Sequence, residues 1–272
     1  MVEYIDFEIF EKYPEVLAAF STKKGGVSKG IYESMNLSLG SKDDPENVRE
    51  NYRRFAESLH TTPDRFVISD QQHTTNIRVV SEKDAGKGTT RPRDYEAIDG
   101  FVTNERNLVL CLLFADCVPV YIYDPAKHAI ALVHSGWKGT AGRISEKAVK
   151  LMQKEYGTDP SDVICVIGPS ICKDCYEVSE DLLYEFGKTF SEEETKQFFE
   201  KGRVVETDGK QEPKYQLDLW KAIEIALQSA GVKKENIHNP RICTFENHDL
   251  LFSHRYTNGK RGNLAAVLSL RG

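Results

Sequence analysis

Cys117, His134 and His73 are the residues whose types and positions best fit chemistry in this sequence. Cys117 lies in the segment ADCVP between two apolar runs, where Pro119 favours a break or bulge that can turn a cysteine toward a cleft. His134 ends an apolar run and precedes a glycine-containing loop, a position where α/β proteins often carry functional groups. One strand, a short turn and a second strand separate the two residues, so they can meet at one end of a hairpin.

His73 follows two glutamines far from this pair and supplies a possible third ligand. Two imidazoles and one thiolate suit zinc, and three protein ligands leave a fourth position for water or substrate, as in catalytic zinc sites. A plain structural interpretation stays open for each residue, because free cysteines are usually buried and strand-end histidines are often structural. The predicted catalytic and metal-binding residues are therefore His73, Cys117 and His134.

The segment CKDC at positions 172–175 is a second candidate, since a CxxC pair can bind zinc or change redox state. The sequence contains no second CxxC and no HxxxH that would complete a four-ligand site. We therefore expect two ordinary thiols near a loop. A chain of 272 residues does not need disulfides to support its core, so the six cysteines are expected to be reduced.

Two groups of basic residues could bind an anion. Lys23, followed by Lys24, precedes a glycine pair, and Arg255 lies just beyond the apolar run 250–252. Cations and backbone amides in such loops can surround a phosphate group, so Lys23 and Arg255 are the predicted substrate-binding residues.

The elements that must position these residues are mostly buried strands and amphipathic helices. Near-continuous apolar runs are typical of strands covered on both faces, and residues spaced by three or four on one side indicate helices. Strands are predicted near 16–20, 65–69, 108–114, 120–123, 129–134, 163–167 and 264–270, and helices at 44–60, up to about 156, within 178–199 and at 217–230. No linker or repeat interrupts this pattern, so we expect one domain over 1–272.

Composition excludes several classes of protein. Hydrophobic residues make up 40% and charged residues 29%, which is ordinary for a globular protein. The net charge of -6 does not favour nucleic acid or anionic lipid as a partner. The apolar run 108–114 is far shorter than the roughly 20 residues of a membrane span. The first residues are acidic and lack an apolar core, so we expect no signal or transit peptide and a cytoplasmic location.

Eight segments resemble the laccase-domain family, once called polyphenol oxidases and regarded as purine nucleoside phosphorylases with adenosine deaminase activity. They are STKKGGVS at 21–28, MNLSLG at 35–40, QQH at 71–73, DGFVT at 99–103, ADCVP at 115–119, VHSGWKGT at 133–140, IGPSI at 167–171 and FSHR at 252–255. The resemblance runs nearly end to end. The family usually has arginine where this chain has Lys23, and lysine lacks the bidentate fork of arginine.

The resemblance implies a single domain of the α/β (α+β) class, with four layers in the order α/β/β/α. It also implies a zinc site at His73, Cys117 and His134, with copper as the other possible metal. The family reaction would be phosphorolysis of adenosine, inosine or methylthioadenosine, accompanied by deamination of adenosine. The expected partners are therefore small purine nucleosides and phosphate.

Three other functions stay open from the sequence. A metal-free cysteine hydrolase would use Cys117 as nucleophile and His134 as its base. A copper-dependent polyphenol oxidase is less favoured, because the chain lacks the paired HxH segments of a multi-copper cluster. A binding module would hold nucleosides without turning them over.

Overall fold

A computed structural model describes residues 1–207 and 210–272, in which short strands alternate with helices. The strands are β1 (Tyr4–Ile5), β2 (Val16–Ser21), β3 (Phe66–Ile68), β4 (Ile77–Val79), β5 (Gly100–Thr103), β6 (Val109–Phe114), β7 (Val118–Asp124), β8 (Ala129–Ser135), β9 (Ile164–Ile167), β10 (Glu177–Ser179), β11 (Phe199–Thr207), β12 (Lys210–Leu217), β13 (Ile237–His238) and β14 (Leu264–Leu270). The α-helices are α1 (Pro45–Ser58), α2 (Trp137–Ala141), α3 (Ile144–Tyr156), α4 (Glu180–Gly187), α5 (Glu192–Phe198), α6 (Leu219–Ser229) and α7 (His254–Thr257).

The strands form two mixed sheets and a smaller antiparallel one. The first sheet has the order β1-β2-β14-β6-β3, and the second has the order β13-β9-β7-β8-β5-β4. In the first sheet, β14 runs antiparallel to β2 and β6, whereas β3 adds parallel to β6. The apolar runs that predicted buried strands are therefore the central strands β6, β7 and β8.

The period-two alternation of side chains divides the core into three clusters. Along β8, Ala131 and Val133 face helices α3 and α6, whereas Ile130 and Leu132 join a cluster shared with β2, β6 and β14 of the other sheet. The two sheets therefore pack face to face, and Tyr121 links them through a hydrogen bond of 3.0 Å from its hydroxyl to a backbone carbonyl of β2. A third cluster lies between α1 and the outer face of the first sheet.

The mixed α/β class predicted from the sequence is thus confirmed. The four-layer order stays a prediction, with which the three clusters agree.

Helix α1 shows how local sequence determines an element here. Asp44 is its N-cap and accepts a hydrogen bond of 2.9 Å from the amide of Glu46, and Pro45 occupies the first turn. The predicted apolar face is buried, with Val48, Tyr52 and Phe55 each no more than 2% exposed. This helix covers the outer face of the first sheet.

The antiparallel sheet of β10, β12 and β11 was not predicted. Its strands carry many charged residues, such as Arg203, which pairs with Glu177 of β10 at 2.9 Å. Only a few apolar side chains, including Leu217 and Phe199, pack against the main core, so the apolar alternation is weak. The neighbouring helices α4 and α5 match the acidic helices predicted for 178–199. Within the described part of the chain, none of the helices combines the length and apolar character that a bilayer crossing requires.

Candidate metal centre

The three residues predicted as ligands are brought together where β7 begins and β8 ends. Antiparallel pairing places Val118 opposite Ser135, so Cys117 lies beside His134. The loop after β3 adds His73, whose Nε2 is 3.9 Å from the sulfur of Cys117. One ligand atom from each of the three residues lies within 4.8 Å of the others. The hairpin geometry expected for Cys117 and His134 is therefore present.

Gln71 attaches the loop that carries His73 to the first sheet through side-chain hydrogen bonds. Its side-chain amide donates to the carbonyl of Leu113 at 2.7 Å and accepts from the amide of Leu113 at 2.7 Å. This pair replaces the hydrogen bonds that another strand would make with β6. His73 itself has a left-handed backbone with φ of 58°, which an ordered loop must stabilise.

Asp99 organises the centre although it is not one of the clustered residues. It is fully buried, and its Oδ1 accepts from Nδ1 of His134 at 2.8 Å and from the amide of His73 at 3.1 Å. Its Oδ2 accepts from the amides of Gln72 and Thr74 and from the hydroxyl of Thr74. One carboxylate therefore orients the His134 ring and shapes the His73 loop.

These contacts explain the charge states of the centre without a metal. Burial opposes ionisation of Asp99, but the hydrogen bonds from His134 and Thr74 lower its pKa to about 2. Burial also opposes the Cys117 thiolate, yet His134 and His73 lower the pKa of Cys117 to about 6. In turn, burial disfavours the imidazolium of His134, while the charges of Cys117 and Asp99 raise its pKa overall. The cluster thus favours a thiolate, the ligand form that a metal needs.

The site fits a metal in both its donor set and its shape. Asp99 holds Nδ1 of His134, so Nε2 is the nitrogen that can coordinate, an arrangement common around zinc. A Cβ built on Gly136 would lie 2.9 Å from the sulfur of Cys117 and 3.1 Å from Cδ2 of His73, so only glycine lets these ligands approach this closely. His134 is buried, whereas His73 is exposed, which leaves the cluster accessible from one side.

Arg255 lies in α7 and is linked to the centre through Asp116, the neighbour of Cys117. Its amide donates to Oδ2 of Asp116 at 2.6 Å, and its guanidinium donates to the carbonyl of Glu177 at 3.0 Å. The guanidinium also lies 5.1 Å from the centre of the Tyr176 ring. Arg255 is therefore connected to the centre through Asp116. Within the described part of the chain, it makes no hydrogen bond to His73, Cys117 or His134.

Lys23 lies in a basic cavity of about 540 Å³ that Lys24, Lys260 and Arg261 also line. Its Nζ donates to the carbonyl of His248 at 2.9 Å and sits 5.6 Å from the centre of the Phe252 ring. Burial lowers the pKa of Arg261, while the charges of Asp116 and Cys117 oppose that change.

The sequence interpretation missed a second cluster. Cys172 and Cys175 of the CKDC segment lie with Cys243 and Glu246, and one ligand atom from each is within 4.8 Å of the others. No local sequence motif accompanies the CxxC pair, but the fold brings Cys243 and Glu246 beside it from about seventy residues further along the chain. Burial raises the pKa of Cys172 and of Cys175. Asp99 and Gly136 were also missed, although both stand in segments that resemble the family.

The fold and this site define a mixed α/β protein with an open His-His-Cys centre near the packed faces of two sheets. Residues 17–271 match the family described as multi-copper polyphenol oxidoreductase laccase, and the chain belongs to that family.

Curated relatives and a solved structure agree with this assignment. The purine nucleoside phosphorylase YlmD of Bacillus subtilis (strain 168) is 34% identical over 94% of this chain and 89% of its own length. The protein of the same name from Geobacillus stearothermophilus is 36% identical over 94% of this chain and 90% of its own. The crystal structure of the hypothetical protein YfiH from Bacillus licheniformis superposes with a TM-score of 0.90 at 32% identity, covering 98% of this chain and 96% of that one.

Replacing Asp99 with asparagine should weaken metal binding at the centre by about 10- to 100-fold, because the substitution keeps the side-chain shape but removes the charge that orients His134. Competition with a chromophoric chelator measures the affinity. The matched control is Asp124→Asn, which changes another fully buried carboxylate, at the far end of β7. Equal losses in both variants would indicate general destabilisation and contradict the role given to Asp99.

In metal-free protein, alkylation of Cys117 by iodoacetamide should accelerate as pH rises through about 6, not through the value near 8.5 of an ordinary thiol. The sign follows from the lowered pKa, since the thiolate is the reactive form and is populated above it. Mass spectrometry after timed alkylation gives the rate at each pH. His134→Gln should move the midpoint upward, and an unchanged midpoint would show that His134 does not stabilise the thiolate.

Proposed function

We propose that this chain is a zinc-dependent purine nucleoside phosphorylase with adenosine deaminase activity, acting on adenosine, inosine and methylthioadenosine as one cytoplasmic domain. The observation that carries the proposal is the open cluster of His73, Cys117 and His134 beside the buried Asp99. The curated relatives that bear the name purine nucleoside phosphorylase support the same activity over nearly the whole chain.

His73, Cys117 and His134 would hold the metal, and a zinc ion at an open three-ligand site supplies a Lewis acid. Copper is the other candidate, because thiolate and imidazole bind both metals and the family description names copper. Metal analysis of protein expressed without added metal distinguishes the two. The residues of the chain contribute orientation, since Asp99 fixes the ring of His134 and the backbone of His73.

Phosphorolysis places a further demand on the site. A phosphate oxygen bonds to C1′ of the ribose while the C1′–N9 bond breaks, its electron pair goes to the purine, and the base takes up a proton. The negatively charged phosphate must be held next to a sugar that becomes cationic. Fixed cations near the phosphate therefore stabilise the transition state. Candidate cations are Lys23 and Arg261, which line the basic cavity, and Arg255, whose amide bonds to Asp116 beside Cys117.

Incubation of the purified protein with adenosine should yield adenine and ribose 1-phosphate when phosphate is present, and inosine with ammonia in its absence. Cys117→Ser should depress both reactions by more than about a hundredfold, because serine is a poor zinc ligand. Chromatography of the products and metal content of each variant give the readout. Cys165→Ala, which removes a buried thiol of β9, is the control and should retain both reactions. Turnover in Cys117→Ser at the parent rate would contradict the proposed centre.

Replacing either Lys23 or Arg255 with alanine should reduce phosphorolysis at least about tenfold more than deamination, because only phosphorolysis binds phosphate. The alanine substitution at Arg255 removes the guanidinium but leaves the hydrogen bond from the backbone amide of this residue to Asp116. Lys29→Ala is the matched control, since Lys29 is an exposed lysine of the same loop and is not among the residues that line the basic cavity. Equal losses in both reactions, with zinc retained, would point to a shared role in nucleoside binding or folding.

The second candidate function is a metal-free cysteine hydrolase, and the lowered pKa of Cys117 beside His134 favours it. The two proposals differ in what the metal does to Cys117. In a zinc enzyme, bound metal protects Cys117 from alkylation and supports turnover. In a cysteine hydrolase, stripped protein turns over substrate and alkylation of Cys117 abolishes it.

A further inference from the structure

The cluster of Cys172, Cys175, Cys243 and Glu246 lies outside the candidate metal centre and has the composition of a closed metal site. One sulfur from each cysteine and one carboxylate oxygen lie within 4.8 Å of one another. Ligand atoms in a tetrahedral zinc site are ~3.8 Å apart when the Zn–S bonds are about 2.3 Å. The four side chains therefore need shifts of only about 1 Å to reach coordinating positions.

Backbone hydrogen bonds hold the two contributing segments in register. The amide of Ser170 donates to the carbonyl of Ile242 at 3.1 Å, and the amide of Thr244 donates to the carbonyl of Ser170 at 3.1 Å. A single 3₁₀ turn brings Cys175 back toward Cys172, whose carbonyl accepts from the Cys175 amide at 3.2 Å. The cysteines are thus brought together by paired main chain, so the cluster does not depend on flexible side chains.

Two local features provide the rest of a site. The amide of Cys172 donates to the sulfur of Cys243 at 3.3 Å, so the Cys243 side chain is oriented toward the CxxC segment. A turn closed by the amide of Asn247 bonding to the carbonyl of Cys243 at 3.0 Å carries Glu246 to the fourth position. Cys243 is buried, while Glu246 is exposed. The cluster is therefore buried at Cys243 and open to solvent at Glu246, where an ion can enter.

We propose that Cys172, Cys175, Cys243 and Glu246 bind a second, structural zinc ion. Three thiolates with one carboxylate select a soft, tetrahedral ion, and four protein ligands leave no position for substrate. This distinguishes the second site from the open centre at Cys117.

The position of the second site gives the ion its role. The amide of Ile171 donates to the carbonyl of Asp116 at 3.0 Å, and the hydroxyl of Thr244 donates to Oδ1 of Asp116 at 2.6 Å. Both segments that the ion joins therefore support Asp116, the residue that precedes Cys117 and binds the amide of Arg255. The proposal uses different residues from the proposed activity, so either can fail without the other.

Cobalt substitution of the full chain tests the second site. Metal-free, reduced protein titrated with Co²⁺ should bind about two ions per chain, and thiolate-to-cobalt absorption should come mainly from the site with three cysteines. Cys172→Ser combined with Cys175→Ser should lose about one ion and most of that absorption, whereas Cys117→Ser should lose the other ion and little of it. Cys165→Ala is the matched control and should bind as the parent does. A double variant that binds as much cobalt as the parent would overturn the proposal.

A measurement on the unchanged chain covers the case in which the double variant does not fold. In zinc-loaded protein, Cys172, Cys175 and Cys243 should resist alkylation, and removal of zinc by a chelator should expose Cys172 and Cys175, as mass spectrometry of the peptides can show. Equal alkylation with and without zinc would overturn the proposal. So would a disulfide among the three cysteines in zinc-loaded protein, which would make the cluster a redox pair.

Discussion

The buried carboxylate of Asp99 is the group on which the centre depends. A charge with no exposed surface is strongly destabilising unless it is bonded on all sides, and Asp99 receives hydrogen bonds from three consecutive amides, a hydroxyl and an imidazole. Its own carbonyl also accepts from the amide of His134 at 2.7 Å. Because the same residue contacts both the His73 loop and strand β8, the separation of the two imidazoles is determined before any ligand arrives.

The second constraint is the packing of the two sheets. Side chains alternate along β8, so His134 points to the same side as Ile130 and Leu132, into the core that the sheets share. Its ring lies 5.3 Å from that of Phe114, which comes from the first sheet. The imidazole of His134 is thus held between the carboxylate of Asp99 and the apolar ring of Phe114. This environment prevents the imidazole from rotating. A rigid ligand on a strand is positioned more accurately than one on a loop.

Sequence reasoning succeeded where local pattern determines the outcome. Apolar runs predicted the central strands, and the strand-turn-strand spacing allowed Cys117 and His134 to meet at one end of a hairpin, as the observed pairing of β7 with β8 permits. It failed where the partner is distant and the local pattern weak. Nothing near CKDC indicates Cys243, and the charged strands β11 and β12 lack clear apolar alternation. Asp99 is the first residue of the segment DGFVT, which resembles the family. One aspartate before a strand, however, does not reveal which hydrogen-bond donors will surround it in the fold.

Asp116 connects the parts of the molecule that the sequence keeps apart. Its backbone is left-handed, with φ of 84°, a conformation that costs an aspartate free energy and persists only if its surroundings enforce it. The surroundings here are Ile171, Thr244 and the amide of Arg255, each bonded to Asp116 from a different segment. These contacts fix the backbone immediately before Cys117. The backbone that carries Cys117 is therefore held by three segments distant in sequence, although the three clustered ligands occupy only two loops and a strand.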